Sequence, residues 1–157
     1  SLRAALNGLD ELPLEHWHYD VFQVSDTPVG GIRHQFLTGP DGRIDRVEVA
    51  LEPAVDAIVF AREAPARLSE PAFLARLAGE YDLLGRTVTV AVRGETLTVT
   101  IPGQPTYEVV PHAATETTAE YKLAEVAGYR VRFELEEGEA TSLAFLQPNG
   151  VFTAKRK

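Results

Sequence analysis

The chain has 157 residues, 15 Lys and Arg against 23 Asp and Glu, a formal net charge of −8, and neither Cys nor Met. The lack of Cys excludes disulfides, thiolate metal sites and a cysteine nucleophile. The acidic balance argues against a nucleic acid partner, because phosphate binding needs clustered Lys and Arg, and the basic run Lys155-Arg156-Lys157 is typical of a solvated chain end. The sequence contains no run of about 18 apolar residues, so it predicts no membrane-spanning helix.

The first half of the chain has the pattern of short amphipathic strands. Residues 1–63 contain about five such stretches, separated by turn signals such as Asp41-Gly42. The small and polar residues 64–68 then predict a linker. A short helix is predicted from Ser69 to Ala78, with Ser69 as N-cap, Pro71 in the first turn and Gly79 after the end.

The second half alternates between apolar and polar residues with a period of two. Val88, Val90, Leu97 and Val99, for example, are each followed by a small or polar residue. Such alternation is typical of strands with one buried face. It predicts eight strands, at about 80–84, 86–92, 95–101, 105–110, 119–123, 128–135, 139–146 and 150–156. Eight antiparallel strands are enough to close a barrel, which removes the sheet edges.

The residues before the linker resemble the second half with its start removed. The matching stretches are 1–8 with 96–103, 12–14 with 107–109, 33–36 with 130–133, 47–49 with 143–145, and 57–62 with 150–155. Residues 1–63 are therefore predicted to be an incomplete copy of the barrel at 69–157, without its first two strands. The open edges of this copy predict dimerisation, strand exchange or packing against the barrel. Because the chain lacks Met, we expect it to be a piece of a longer protein, cut inside the first unit.

Several stretches resemble a known family, the beta-lactamase-related, penicillin-binding-protein-like serine hydrolases of bacteria. The stretches are 14–22, 41–45, 51–60, 77–81, 99–105 and 147–152, and they are similar to the C-terminal region of these enzymes. The resemblance implies an all-β fold, a lipocalin-like barrel of unassigned function. It also implies an upstream catalytic domain as partner, and a periplasmic or extracellular location.

The catalytic motifs of that family are not found in this chain. No Ser is followed three residues later by Lys, and none of the five Tyr is followed two residues later by Asn. The Ser-x-x-Lys nucleophile and its Tyr-x-Asn partner would thus lie upstream of Ser1. We therefore assign no catalytic residue and expect a non-catalytic accessory domain that acts in packing, substrate access or self-association.

An alternative hypothesis is a carrier that binds a small apolar ligand inside the barrel. Tyr107, Tyr121, Tyr129 and Phe133 are the candidate ligand-binding residues, because each lies at a predicted interior position. A barrel of eight strands is just wide enough for side chains to fill it or for one small ligand to enter. The large interior residues favour a filled core.

Three histidines form a weaker candidate for a metal site. His16 and His18 are two residues apart on a predicted strand and are therefore expected to share a face, and His34 follows on the next strand. Three imidazoles could hold zinc with one open position. A surface or an inter-module face is the favoured interpretation, and we assign no metal and no cofactor.

Overall fold

A computed structural model of the chain describes residues 2–5, 11–25, 30–39, 42–52 and 54–157. The chain divides into two compact units, residues 1–62 and 63–157. Both are built from antiparallel strands, which confirms the all-β class that the alternating pattern predicts. No helix in the described ranges combines the length and the apolar character needed to cross a lipid bilayer.

The first unit is an open sheet. Its strands in the described residues are β1 (Leu2–Ala4), β2 (Leu12–His18), β3 (Val21–Val24), β4 (Arg33–Thr38), β5 (Ile44–Ala50) and β6 (Ile58–Ala61). They pair in chain order, so β1 and β6 are the two edges. The sequence predicted about five strands here. Predictions that involve residues 6–8 and 40–41 lie outside the described residues.

The second unit is a closed barrel with a short helix. A 3-10 turn, Ala66–Ser69, precedes the helix α1 (Pro71–Leu77). The strands are β7 (Gly79–Leu83), β8 (Arg86–Arg93), β9 (Thr96–Thr100), β10 (Thr106–Ala114), β11 (Thr118–Leu123), β12 (Arg130–Glu136), β13 (Glu139–Gln147) and β14 (Gly150–Arg156). Each strand pairs with its neighbour, and β14 pairs with β7 through Arg156 and Tyr81, which closes the barrel. The predicted eight-stranded antiparallel barrel is confirmed.

Alternation along the strands fills the barrel with side chains. Val88, Leu97, Val131 and Leu143 are fully buried, as are the larger Tyr81, Tyr121 and Phe133. Phe133 contacts both tyrosine rings edge to face, with centroids 6.0 Å from Tyr81 and 5.9 Å from Tyr121. Burial of such residues stabilises a fold by roughly 1.5–3 kcal/mol each. The interior is therefore a packed core over most of its length.

The helix begins and ends differently from the sequence prediction. Ser69 closes the 3-10 turn, and the N-cap is Glu70, whose side chain makes no capping hydrogen bond. Pro71 is the first helical residue, a position where its missing N–H costs nothing. Gly79 does not follow the helix directly, because Ala78 ends it and Gly79 already belongs to β7.

The predicted linker is part of the barrel instead. Leu68 is fully buried and belongs to the same apolar core as Leu74 and Leu77 of α1. The small and polar composition of residues 64–68 indicated a linker, but it contains one leucine that packs inside. The turn and the helix thus cover one end of the barrel.

The six strands of the first unit correspond to β9–β14 in register. Leu14 pairs with Leu2 and Val24 on its two sides, as Val109 pairs with Leu97 and Leu123. Both units carry a β-bulge in the second of these strands and another in the fifth. The first unit is thus an incomplete copy of the second, without counterparts of β7 and β8 in its described residues. On the last strand, Ile58 takes the place of Phe152, one residue beyond the match made from sequence.

Candidate functional site

The barrel opens at the end opposite α1 into a cavity of about 330 Å³. Its wall is apolar and comes from inward-facing strand residues, namely Val99, Tyr107, Leu123, Val131 and Phe145. Its rim carries the polar side chains of Gln104, Arg130 and Gln147. Small-molecule sites combine an apolar wall with a few polar groups and start at about 300 Å³, so this cavity has room for one small molecule.

The four candidate ligand-binding residues separate into two pairs. Tyr107 and Tyr129 are half-buried and line the cavity. Tyr121 and Phe133 are fully buried in the core. The hydroxyl of Tyr121 donates a hydrogen bond to the Leu68 carbonyl at 2.9 Å. Alternation therefore predicted the correct face for these residues but not their depth along the barrel axis.

The polar rim was not identified from the sequence. Gln104 follows the Pro102-Gly103 turn, and the Tyr107 hydroxyl donates to its Oε1 at 3.4 Å. Gln147 is the last residue of β13. Proximity to a strand end is the one sequence signal that could have identified both glutamines, because strand ends of a barrel meet at its mouth.

The electrostatics of the rim favour an uncharged ligand. Arg130 forms an ion pair with Glu120 at 3.5 Å, and the Glu120 side chain is only 5% exposed. Because this carboxylate balances the guanidinium charge, the cavity does not present an uncompensated cation from Arg130. The glutamine amides supply neutral donors and acceptors beside it.

The two core tyrosines remain neutral. Burial raises the pKa of Tyr81 to about 12, with Arg156 acting in the opposite direction. Burial also raises the pKa of Tyr121 well above its usual value. Both hydroxyls donate to backbone carbonyls, Tyr81 to Leu77 at 2.7 Å and Tyr121 to Leu68. These tyrosines stabilise the covered end of the barrel.

The three histidines do not converge, and the expected shared face is wrong. His16 pairs with Phe22 and His18 with Val21, which are consecutive on β3 and so face opposite sides. The cause is the β-bulge at Trp17, which shifts the register by one residue. His34 pairs with Phe22 from the other side, so Phe22 lies between His16 and His34. The described residues contain no group of three His, Asp or Glu arranged to hold a metal.

His34 differs from the other histidines in its burial. Its side chain is on the same face as Phe22 and Val49, and the residue is 5% exposed. Burial lowers its pKa, although a hydrogen bond with the Ile32 backbone acts in the opposite direction. Its Nδ1 atom is buried and has no hydrogen-bond partner among the described residues.

The first unit exposes apolar residues along one edge. On β6 the exposed fractions are 45% for Ile58, 55% for Val59 and 42% for Phe60. Ile58 and Phe60 pair with Val49 and Val47, so they share the apolar face of the sheet. An apolar edge strand with unpaired backbone groups is a template for pairing with another strand.

Comparison with known proteins gave no relative. A scan against protein-family models, a search of curated proteins and a search of solved structures each found no match to this chain.

Proposed function

We propose that the chain is a non-catalytic accessory region of a beta-lactamase-related serine hydrolase. The observation that supports an accessory role best is the filled barrel. Tyr81, Tyr121 and Phe133 occupy its interior, and the two tyrosine hydroxyls donate hydrogen bonds to backbone carbonyls at the covered end. The resemblance of stretches such as 14–22 and 99–105 supports the hydrolase class.

In this proposal the two units have different roles. The closed barrel is a rigid body, because its core is packed and β14 closes on β7. The open sheet has two edge strands, β1 and β6, and these edges form the surface that packs against another domain. Packing against the catalytic domain then shapes access to its substrate.

The test has two steps. The gene that encodes this chain is sequenced upstream of Ser1, where a Ser-x-x-Lys motif and a Tyr-x-Asn motif are expected. The enzyme is then produced with and without residues 1–157, and ester hydrolysis and thermal unfolding are measured. Retained turnover with a changed KM or a lowered Tm supports the proposal. An unrelated upstream sequence, or turnover by the isolated chain, contradicts it.

A second candidate function is the binding of a small uncharged ligand at the barrel mouth. The cavity of about 330 Å³ between Val99, Tyr107 and Phe145 is the observation that favours it. Native mass spectrometry after mild purification tests for a molecule that co-purifies. Titration with N-phenyl-1-naphthylamine, an uncharged fluorescent probe, tests binding directly.

Matched variants connect such binding to the cavity. Leu123→Trp fills the mouth and should abolish the probe signal. Val151→Trp adds the same ring at an exposed position on β14 and should leave the signal unchanged. Equal titration curves for both variants would exclude the mouth as the site.

A further inference from the structure

Arg62 and Arg156 occupy equivalent places in the two units. Arg62 follows β6 as Arg156 ends β14, and both Nη1 atoms donate to a carbonyl on the preceding strand. The acceptors are Ile44 at 3.4 Å and Ala140 at 3.0 Å. These acceptors are themselves equivalent, since each follows the β-bulge in the register of its pair.

In the second unit, Arg156 also anchors the segment that closes the barrel. Nη1 donates to the Arg76 carbonyl at 2.7 Å, and Nη2 donates to the Ala78 carbonyl at 3.0 Å. These carbonyls end α1, where a helix carries partial negative charge that favours a cation. The chain then continues into β7 and β8, which lie between β14 and β9.

In the first unit the same guanidinium has no helix beside it in the described residues. Arg62 is exposed, and there its one side-chain hydrogen bond is the one to Ile44. A guanidinium has five N–H donors, so Arg62 retains the capacity that Arg156 uses for a helix end. The charge of Arg62 is thus complementary to a helix C-terminus.

The edge strand β6, which precedes Arg62, has backbone groups that can pair with a further strand. The Arg62 N–H donates to the Asp45 carbonyl at 2.7 Å, which places the inward backbone groups of this strand at alternate residues. By that alternation the backbone N–H and C=O of Phe60 point towards β5. The backbone N–H and C=O of Val59 and Ala61 point away from the sheet. The edge β1 lies at the other end of the strand order.

We propose that the first unit binds a helix-and-hairpin segment that lies outside residues 1–62. The segment has the chemistry of residues 71–93: a short helix, then two antiparallel strands with alternating apolar residues such as Tyr81, Val88 and Val90. Its strands pair with β6 and β1, and its helix end accepts hydrogen bonds from Arg62. This is strand addition at an exposed edge. The inference does not depend on the serine-hydrolase assignment.

A peptide of residues 70–93 with a fluorescent label is the probe, titrated into the full chain and followed by anisotropy. We expect saturable binding of one peptide per chain, and hydrogen-exchange protection of residues 2–4 and 58–61. A control peptide with Tyr81→Ser, Val88→Ser and Val90→Ser keeps the length and charge and should bind at least about tenfold more weakly, a change of about 1.4 kcal/mol.

Protein variants test the two contacts separately. Val59→Pro removes an outward N–H without touching the β5 side, and it should abolish binding. Arg62→Ala should weaken binding about tenfold, a loss of about 1.4 kcal/mol, whereas Arg33→Ala, whose side chain lies over the Trp17 ring, should not.

Three results would overturn the proposal. The first is no saturable binding to the folded chain. The second is protection on β9 and β14 rather than on β1 and β6, which would mean that the peptide exchanges into the barrel. The third is a dimer in analytical ultracentrifugation that Val59→Pro dissociates and the peptide does not, since the edge would then belong to a second copy of the chain.

Discussion

The hydroxyl of Tyr121 on β11 donates a 2.9 Å hydrogen bond to the backbone carbonyl of Leu68, which lies 53 residues earlier in the chain. The bond joins the barrel wall to the turn that covers one end of the barrel. A second bond, from the Tyr81 hydroxyl to the Leu77 carbonyl at 2.7 Å, holds the end of α1 in the same way. Two buried tyrosine hydroxyls therefore hold the turn and the helix that cover this end of the barrel, through hydrogen bonds to their backbone carbonyls.

Replacement of Tyr121 by Phe tests the first bond. The ring still fills the core, but the Leu68 carbonyl loses its buried donor, so we expect the free energy of unfolding to fall by about 1–3 kcal/mol. Urea denaturation measures the change. Tyr107→Phe is the control, because that hydroxyl makes a long bond of 3.4 Å at the open end. Equal losses in the two variants would contradict the assigned role.

Alkaline pH should weaken the barrel through Tyr81. Burial raises its pKa to about 12 in the folded protein, whereas the unfolded chain ionises near the ordinary value of about 10. The stabilisation is complete below pH 10 and is lost as the pH rises towards 12, because only the unfolded state ionises in this window. Urea midpoints between pH 9 and 11.5 should decrease, and Tyr81→Phe should reduce the slope. An unchanged slope would assign the effect to other groups.

Much of the barrel could be predicted because its strands alternate between buried and exposed residues. In β9 (Thr96–Thr100), the alternation in the sequence predicts that Leu97 and Val99 face the barrel interior, and both are buried there. The depth of a residue along the barrel is different, because it depends on how far its strand extends. Tyr107 and Tyr121 follow the same alternation, yet one lines the mouth and the other is buried in the core.

Local backbone irregularities account for the main errors. The bulge at Trp17 turns His16 and His18 to opposite faces of the sheet. The residue type at that position does not indicate a bulge in the sequence. Leu68 was missed for a similar reason, since a single leucine among small residues carries no periodicity. The hairpins were easier to predict: Gly42 has φ +77°, a backbone conformation that glycine adopts without strain.

His34 predicts an acid-sensitive first unit. It occupies the place that Val131 takes in the barrel, since His34 pairs with Phe22 as Val131 pairs with Tyr121. Burial lowers its pKa, so the unfolded state binds a proton more readily than the folded state. Its neutral form therefore stabilises the unit above pH 6.5, and this contribution is lost as the pH falls through that value towards the folded pKa.

The measurement uses Trp17, the one Trp of the chain, which lies on β2 of the first unit. Its fluorescence during urea unfolding at pH 5 to 8 should show a midpoint that decreases on the acid side. His34→Val should remove most of that decrease and satisfy the apolar face. His18→Ala, at an exposed position on the other face, should preserve it. A pH dependence that survives in His34→Val would assign the sensitivity to another group.

Arg156 should be the most important charged residue for barrel closure. Its guanidinium donates to the carbonyls of Arg76, Ala78 and Ala140, and it lies 3.7 Å from the Glu139 carboxylate. Hydrogen bonds from a charged group contribute about 1.5–3 kcal/mol, so Arg156→Ala should lower the free energy of unfolding by about 2 kcal/mol or more.

Thermal unfolding followed by circular dichroism measures the loss. Lys155→Ala, the exposed neighbour, should change it by less than about 0.5 kcal/mol, as surface substitutions do. Similar losses in both variants would mean that the helix end is held by apolar packing of Leu74 and Leu77 instead.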